Sequence, residues 1–115
     1  TAGRPVFDAT APSRSLAGQT PADRPLVVIR FDRPTVEYEQ PLYAAISAAL
    51  ERRPASSFEI EAAAPLAAGS PLSARRQADR VIRTLLDMGV PRDRLFASER
   101  LAPDAQVDEV RIYVR

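Results

Sequence analysis

The stretch Leu72-Ser73-Ala74-Arg75-Arg76-Gln77-Ala78-Asp79-Arg80-Val81-Ile82-Arg83-Thr84-Leu85-Leu86-Asp87-Met88-Gly89-Val90-Pro91 decides the reading of this chain. Ala78, Val81, Ile82, Leu85 and Leu86 recur at the spacing of one helix face, with charged residues between them. Ser70 followed by Pro71 supplies an N-cap and a first helical residue, with Ser73 as the alternative cap, and Gly89 before Pro91 marks the stop. Arg75, Asp79 and Arg83 stand four apart on the outer face, where such pairs add a few tenths of a kcal/mol each, about 0.2 to 0.5.

Upstream, Phe58, Ile60 and Ala62 alternate with Glu59, Glu61 and Ala63, the period of a strand with one face buried. A loop of small residues from Ala64 to Gly69 separates it from the helix. Further upstream, Tyr38, Leu42, Ala45, Ile46, Ala49 and Leu50 form a second helical stripe. Pro41 falls in its first turn, where a missing N–H costs little, and Pro54 ends it. Leu26, Val27, Val28, Ile29 and Phe31 make a nearly continuous apolar run that predicts a buried central strand. Downstream, Leu95 to Ala97 reads as a short strand, Pro103-Asp104 as a loop, and Val110, Ile112 and Val114 as the inward positions of a last strand. The expected fold is α+β: a two-layer α/β sandwich of order β-α-β-α-β-β, with two helices on one face of a mixed sheet. Ile29, Ile46, Val81, Leu85 and Ile112 are the expected core.

Residues 1–25 differ in kind. Pro5, Pro12, Pro21 and Pro25 with Gly3, Gly18 and several Ser and Thr show no apolar period, which reads as a flexible Pro-rich linker ahead of a domain over 26–115. Val6-Phe7 is its one sizeable apolar anchor. The 115 residues suit a single domain. Beginning at Thr1 rather than Met, the chain is expected to be a processed product or an excised piece, with any signal peptide, lipid-bearing cysteine or membrane tether upstream.

Sixteen basic residues against fifteen acidic give a net charge of +1, which offers no field to draw nucleic acid or an anionic membrane. All sixteen are Arg, a bias that with the abundant alanine reflects a GC-rich genome. Cysteine and histidine are absent, so disulfides, thiolate nucleophiles, imidazole bases and the usual zinc ligands are unavailable. The carboxylates Glu37 and Glu39 do not converge on a helix at i, i+2 spacing. No enzyme, cofactor or metal site is expected, and no apolar run is long enough to span a membrane.

The layout over 26–115 resembles the OmpA-like periplasmic domain. Ile29-Arg30-Phe31-Asp32, Phe58-Glu59-Ile60-Glu61, and Leu72-Ser73 followed by Ala78, Val81, Leu85 and Gly89 carry the likeness. Val90-Pro91-Arg92-Asp93-Arg94-Leu95 is similar to that family's exit from its second helix. The resemblance implies that the last strand lies beside the first. It also implies a pocket in which an aspartate after the second strand and an arginine early in the second helix grip the charged ends of diaminopimelate in peptidoglycan. Here the aspartate position falls on Pro65 and the arginine position on Gln77, with a loop about three residues shorter, so the pocket reads as dismantled. What remains, Ala62 to Ala68, is uncharged and reads as an apolar contact surface, with Ala64, Pro65 and Leu66 at its centre. The expected function is thus a non-enzymatic, periplasmic protein-interaction or assembly module whose partner is another envelope protein. The alternative is a peptidoglycan anchor that uses Arg75 or Arg76 with backbone groups, and a third reading, by analogy, is an assembly factor for a pilus or secretion machine.

Overall fold

A computed structural model describes residues 24–115. The linker and the Val6-Phe7 anchor expected upstream lie outside the described residues, apart from Arg24 and Pro25. Four strands and two helices follow in the order β1 (Val27–Arg30), α1 (Glu39–Arg52), β2 (Phe58–Pro65), α2 (Leu72–Asp87), β3 (Leu95–Ala102) and β4 (Glu109–Val114), with short 3-10 turns at Leu66–Ala68 and Arg92–Arg94. This is the expected α+β order.

Each helix ends where its sequence stops it. In α1, Pro41 occupies the first turn, and Arg53, held extended at φ −142° by the following Pro54, closes the other end. In α2 the start lies one residue later than predicted: Pro71 stands at the cap, and the Ser70 hydroxyl accepts the Leu72 N–H at 3.1 Å. At its far end Gly89 N–H donates to Leu86 C=O at 3.0 Å and Val90 N–H to Leu85 C=O at 3.1 Å. That pair of bonds is a Schellman motif, which needs a positive φ, and Gly89 supplies it at +102°.

The strands form one mixed sheet in the order β1-β4-β2-β3. β4 runs antiparallel to both β1 and β2, and β2 runs parallel to β3. The last strand does lie beside the first. Three predictions about individual strands need correction, however. The apolar run Leu26–Phe31 does not make a central strand: β1 is an edge, Val27 and Ile29 point to the core, Val28 is half-buried, and Phe31 leaves the strand to meet Tyr38 edge-on at 6.1 Å. The central strands are β2 and β4, and β2 is buried on both faces over most of its length.

β3 is also longer than predicted, and β2 runs on through Ala64 and Pro65, which the sequence reading gave to the loop. The parallel register Phe58↔Leu95 through Pro65↔Ala102 holds both strands for eight residues. Ladder bonding along a neighbour thus extends two segments whose own patterns are weak.

One face of the sheet carries both helices. Val27, Ile29, Phe58, Ile60, Ala62, Ala64, Val110 and Ile112 pack there with Leu42, Ile46, Val81 and Leu85 in a single core. All five residues expected in the core are buried, none more than 5% exposed. The other face carries neither helix: the β3–β4 connection packs Ala105 against Ala63 and Ala102 at one end, and the rest is built quite differently.

Candidate functional site

That second face carries a ladder of charges. The register puts Arg30, Glu109, Arg111, Glu61, Arg100 and Glu59 on one side of the sheet, because residues opposite one another share a face. Arg111 is central: its Nε donates to Glu109 at 2.9 Å, its Nη2 to Asp104 at 3.1 Å, and its Nη1 lies 3.8 Å from Glu61. Arg30 approaches Glu109 at 3.7 Å, and Arg100 approaches Glu61 at 3.9 Å. Farther along, Ser98 Oγ donates to Glu59 at 2.7 Å, and Arg115 also donates to Glu59 at 2.9 Å while its guanidinium lies 5.0 Å over the Tyr113 ring.

The pKa directions follow from this geometry. The Ser98 hydroxyl and then the Arg115 guanidinium hold the Glu59 carboxyl below its usual range. Burial raises Asp104, but hydrogen bonding and charge attraction from Arg111 outweigh it and leave Asp104 lowered. Burial opposes the Arg111 cation, yet its bonds to Glu109 and Asp104 prevail and raise it further. Burial, then the Glu61 charge, raises Tyr113. Arg30, Arg100, Arg111 and Arg115 are matched by Glu59, Glu61, Asp104 and Glu109, so the face presents no net charge to a ligand. It is a structural polar layer, with Glu61, Glu109 and Arg111 buried and mutually paired.

The residues singled out in the sequence fall at two places. Ala64 is fully buried on the core side of β2 and takes no part in any surface, which corrects its place in the expected contact patch; Ala62 and Ala63 are buried as well. Pro65 is half-buried at the end of β2. Leu66, with 57% of its surface exposed, and Leu72, with 52%, stand at either end of the loop into α2. The loop turns at Gly69, whose φ is +73°. Arg76 is exposed, and Gln77 accepts a hydrogen bond from Arg80 at 2.9 Å.

Arg75 does not sit in a purely solvated row. It reaches Glu99 of β3 at 3.7 Å and lines a crevice of about 200 Å³ between α2 and β3, together with Asp79, Ala62, Ala78 and Ala97. An acid that no neighbouring sequence position supplies is therefore brought to Arg75 by the parallel pairing of β2 with β3. Nothing local in the sequence signals it. The crevice is open and both side chains are substantially exposed, so its ion pair is worth little to stability. Chemically, a crevice lined by a guanidinium and by carboxylates offers partners to both an ammonium and a carboxylate.

Among the described residues no group of His, Cys, Asp and Glu side chains could hold a metal ion. No helix among them is long and apolar enough to cross a membrane. The chain matches no protein-family model, no curated protein and no solved structure.

Proposed function

We propose that this domain is a non-enzymatic protein-interaction or assembly module of the bacterial cell envelope, working in the periplasm as an OmpA-like fold that has lost its diaminopimelate grip. The observation that carries the reading is the end of the sheet between β2 and α2. Where the resemblance calls for an acid stands Pro65, and beside it Leu66 and Leu72 are more than half exposed. Exposed apolar side chains at a site that family uses for a charged ligand favour a protein partner over a cell-wall peptide. The order β-α-β-α-β-β and the adjacency of β1 and β4 are consistent with the resemblance.

The test is sedimentation with purified peptidoglycan sacculi, paired with titration of a diaminopimelate-containing muropeptide. Two missing charge-assisted hydrogen bonds, each worth roughly 1.5 to 3 kcal/mol, weaken binding by about two to four orders of magnitude. The domain is expected to stay in the supernatant and to show no saturable binding at millimolar muropeptide. A photo-crosslinker at Leu66 is expected to give a discrete adduct with an envelope protein, whereas one at Arg83 on the exposed face of α2 gives none.

A second reading, the peptidoglycan anchor, draws support from the Arg75 crevice, in which Glu99 and Asp79 provide acids beside a guanidinium. Micromolar muropeptide binding lost in Arg75→Ala would put that reading first. Loss in Arg76→Ala instead would place the ligand farther along the exposed face of α2.

A further inference from the structure

The exposed leucines at the start of α2 have a charged neighbour. Residues four apart on a helix stand side by side, so Arg76 lies next to Leu72, one turn into α2. Leu72 is 52% exposed and Arg76 is exposed beside it, with Leu66 across the loop.

The other cations nearby are engaged. Arg75 is tied to Glu99 at 3.7 Å, Arg80 donates to the Gln77 side chain at 2.9 Å, and Arg100 on the other face of the sheet is tied to Glu61. Arg76 makes no hydrogen bond or ion pair among the described residues. The first turn of α2 holds no acidic residue, and Asp79, one turn farther on, stays beyond ion-pairing distance of Arg76. Between Leu72 and Arg83 the exposed face of α2 sets Arg76, Arg80 and Arg83 against Asp79 alone. Arg83 is also exposed, but it stands about 10 Å farther along the helix axis and away from the leucines.

We propose that the partner segment received at Leu66 and Leu72 presents a carboxylate to Arg76, so that the surface selects a large apolar residue flanked by an aspartate or glutamate. This rests on the interaction-module reading given above and names the chemistry of its partner. Two leucines alone accept any apolar group that reaches them. A guanidinium beside them fixes the direction of the bound segment, and it rejects a segment that sets a basic residue at that place. Docking over Leu72 also removes water from one side of the pair, which strengthens the attraction as the local dielectric falls.

The chain contains no lysine, so a zero-length coupling tests the assignment. Arg76→Lys puts a single side-chain amine at this surface, and a carbodiimide joins it only to a carboxylate in direct contact. Asp79→Asn in the same chain removes the acid one turn away. The full chain with both changes is coupled in an envelope extract, beside a chain carrying the photo-crosslinker at Leu66. The carbodiimide adduct is expected to contain the same protein as the photo-adduct, with the bond mapped to an aspartate or glutamate of that protein. A photo-adduct without a carbodiimide adduct would overturn this inference and leave the interaction surface standing. Absence of both adducts would remove the interaction-module reading as well. Charge reversal gives a second readout. Arg76→Glu is expected to cut the photo-adduct yield by about tenfold or more, whereas Arg83→Glu changes it by less than about twofold. An unchanged yield in Arg76→Glu, or equal losses in the two variants, would also overturn it.

Discussion

Arg111 sits in the middle of the sheet with only 9% of its side chain exposed, and three carboxylates surround it. Removing one member of a buried ionic group leaves the others desolvated and unpaired, at a cost of roughly 3 to 5 kcal/mol. Arg111→Ala is accordingly expected to destabilise the domain by about that amount in urea unfolding, whereas Arg83→Ala on the exposed face of α2 changes little. Leu85, fully buried under the sheet, tests the other face. Leu85→Ala leaves a cavity costing about 2 to 5 kcal/mol, a fall in Tm of about 8 °C or more for a domain this small.

The carboxyls of the ladder also set a pH dependence. Glu59 and Asp104 hold protons less tightly in the folded chain than in the unfolded one. The stability they contribute is complete above their ordinary values of 4.5 and 3.8 and is lost as pH falls through the lower folded values. Chemical denaturation is expected to show stability falling below pH 4.5, with a shallower slope in Glu59→Gln. None of these partners is legible residue by residue. Glu61 reads as an ordinary outward position of an alternating strand, and its burial follows from Arg111 and Tyr113 on one neighbouring strand and Arg100 on the other.

At the scale of the element, the helices were the most legible parts of the chain, because their signals are local. The stop of α2 shows this: Gly89 takes a φ of +102° so that two backbone bonds can close the helix, and Val90 then packs inward. A Cβ at Gly89 would meet nothing within 4 Å, so the backbone conformation alone sets the cost of a substitution. Gly89→Ala is expected to lose about 1 to 2 kcal/mol and Gly89→Asn less, measured by thermal unfolding, since Asn tolerates the left-handed region better. Strand phases were equally clear in β2 and β4, where alternation separates inward from outward positions. Strand roles were not: a continuous apolar run such as Leu26–Phe31 fits a central strand, and it became an edge because β4 returns to lie between it and β2.

For the whole molecule, the charge on the core-facing side of the β3 edge carries a further test. Glu99 faces the core side of β3 and pairs with Arg75, so Glu99→Val removes the charge and releases Arg75. The core-facing positions of the eight-residue edge then become apolar from Leu95 to Leu101. Glu99→Val is expected to self-associate at micromolar concentrations in analytical ultracentrifugation, while the wild-type chain does not do so through this edge.

By itself the sequence determined the element order, the inward phase of the strands and helices, the core residues and the helix stops, since each depends on neighbours within a turn or two of chain. It also showed that Pro65 and Gln77 replace the charged pair that the resemblance calls for. Only the tertiary structure decided that β2 and β4 are central, that Ala64 is buried and that Glu99 meets Arg75. Those features arise from pairing between strands remote in sequence. Sheet order brings together side chains whose local patterns contain no record of one another.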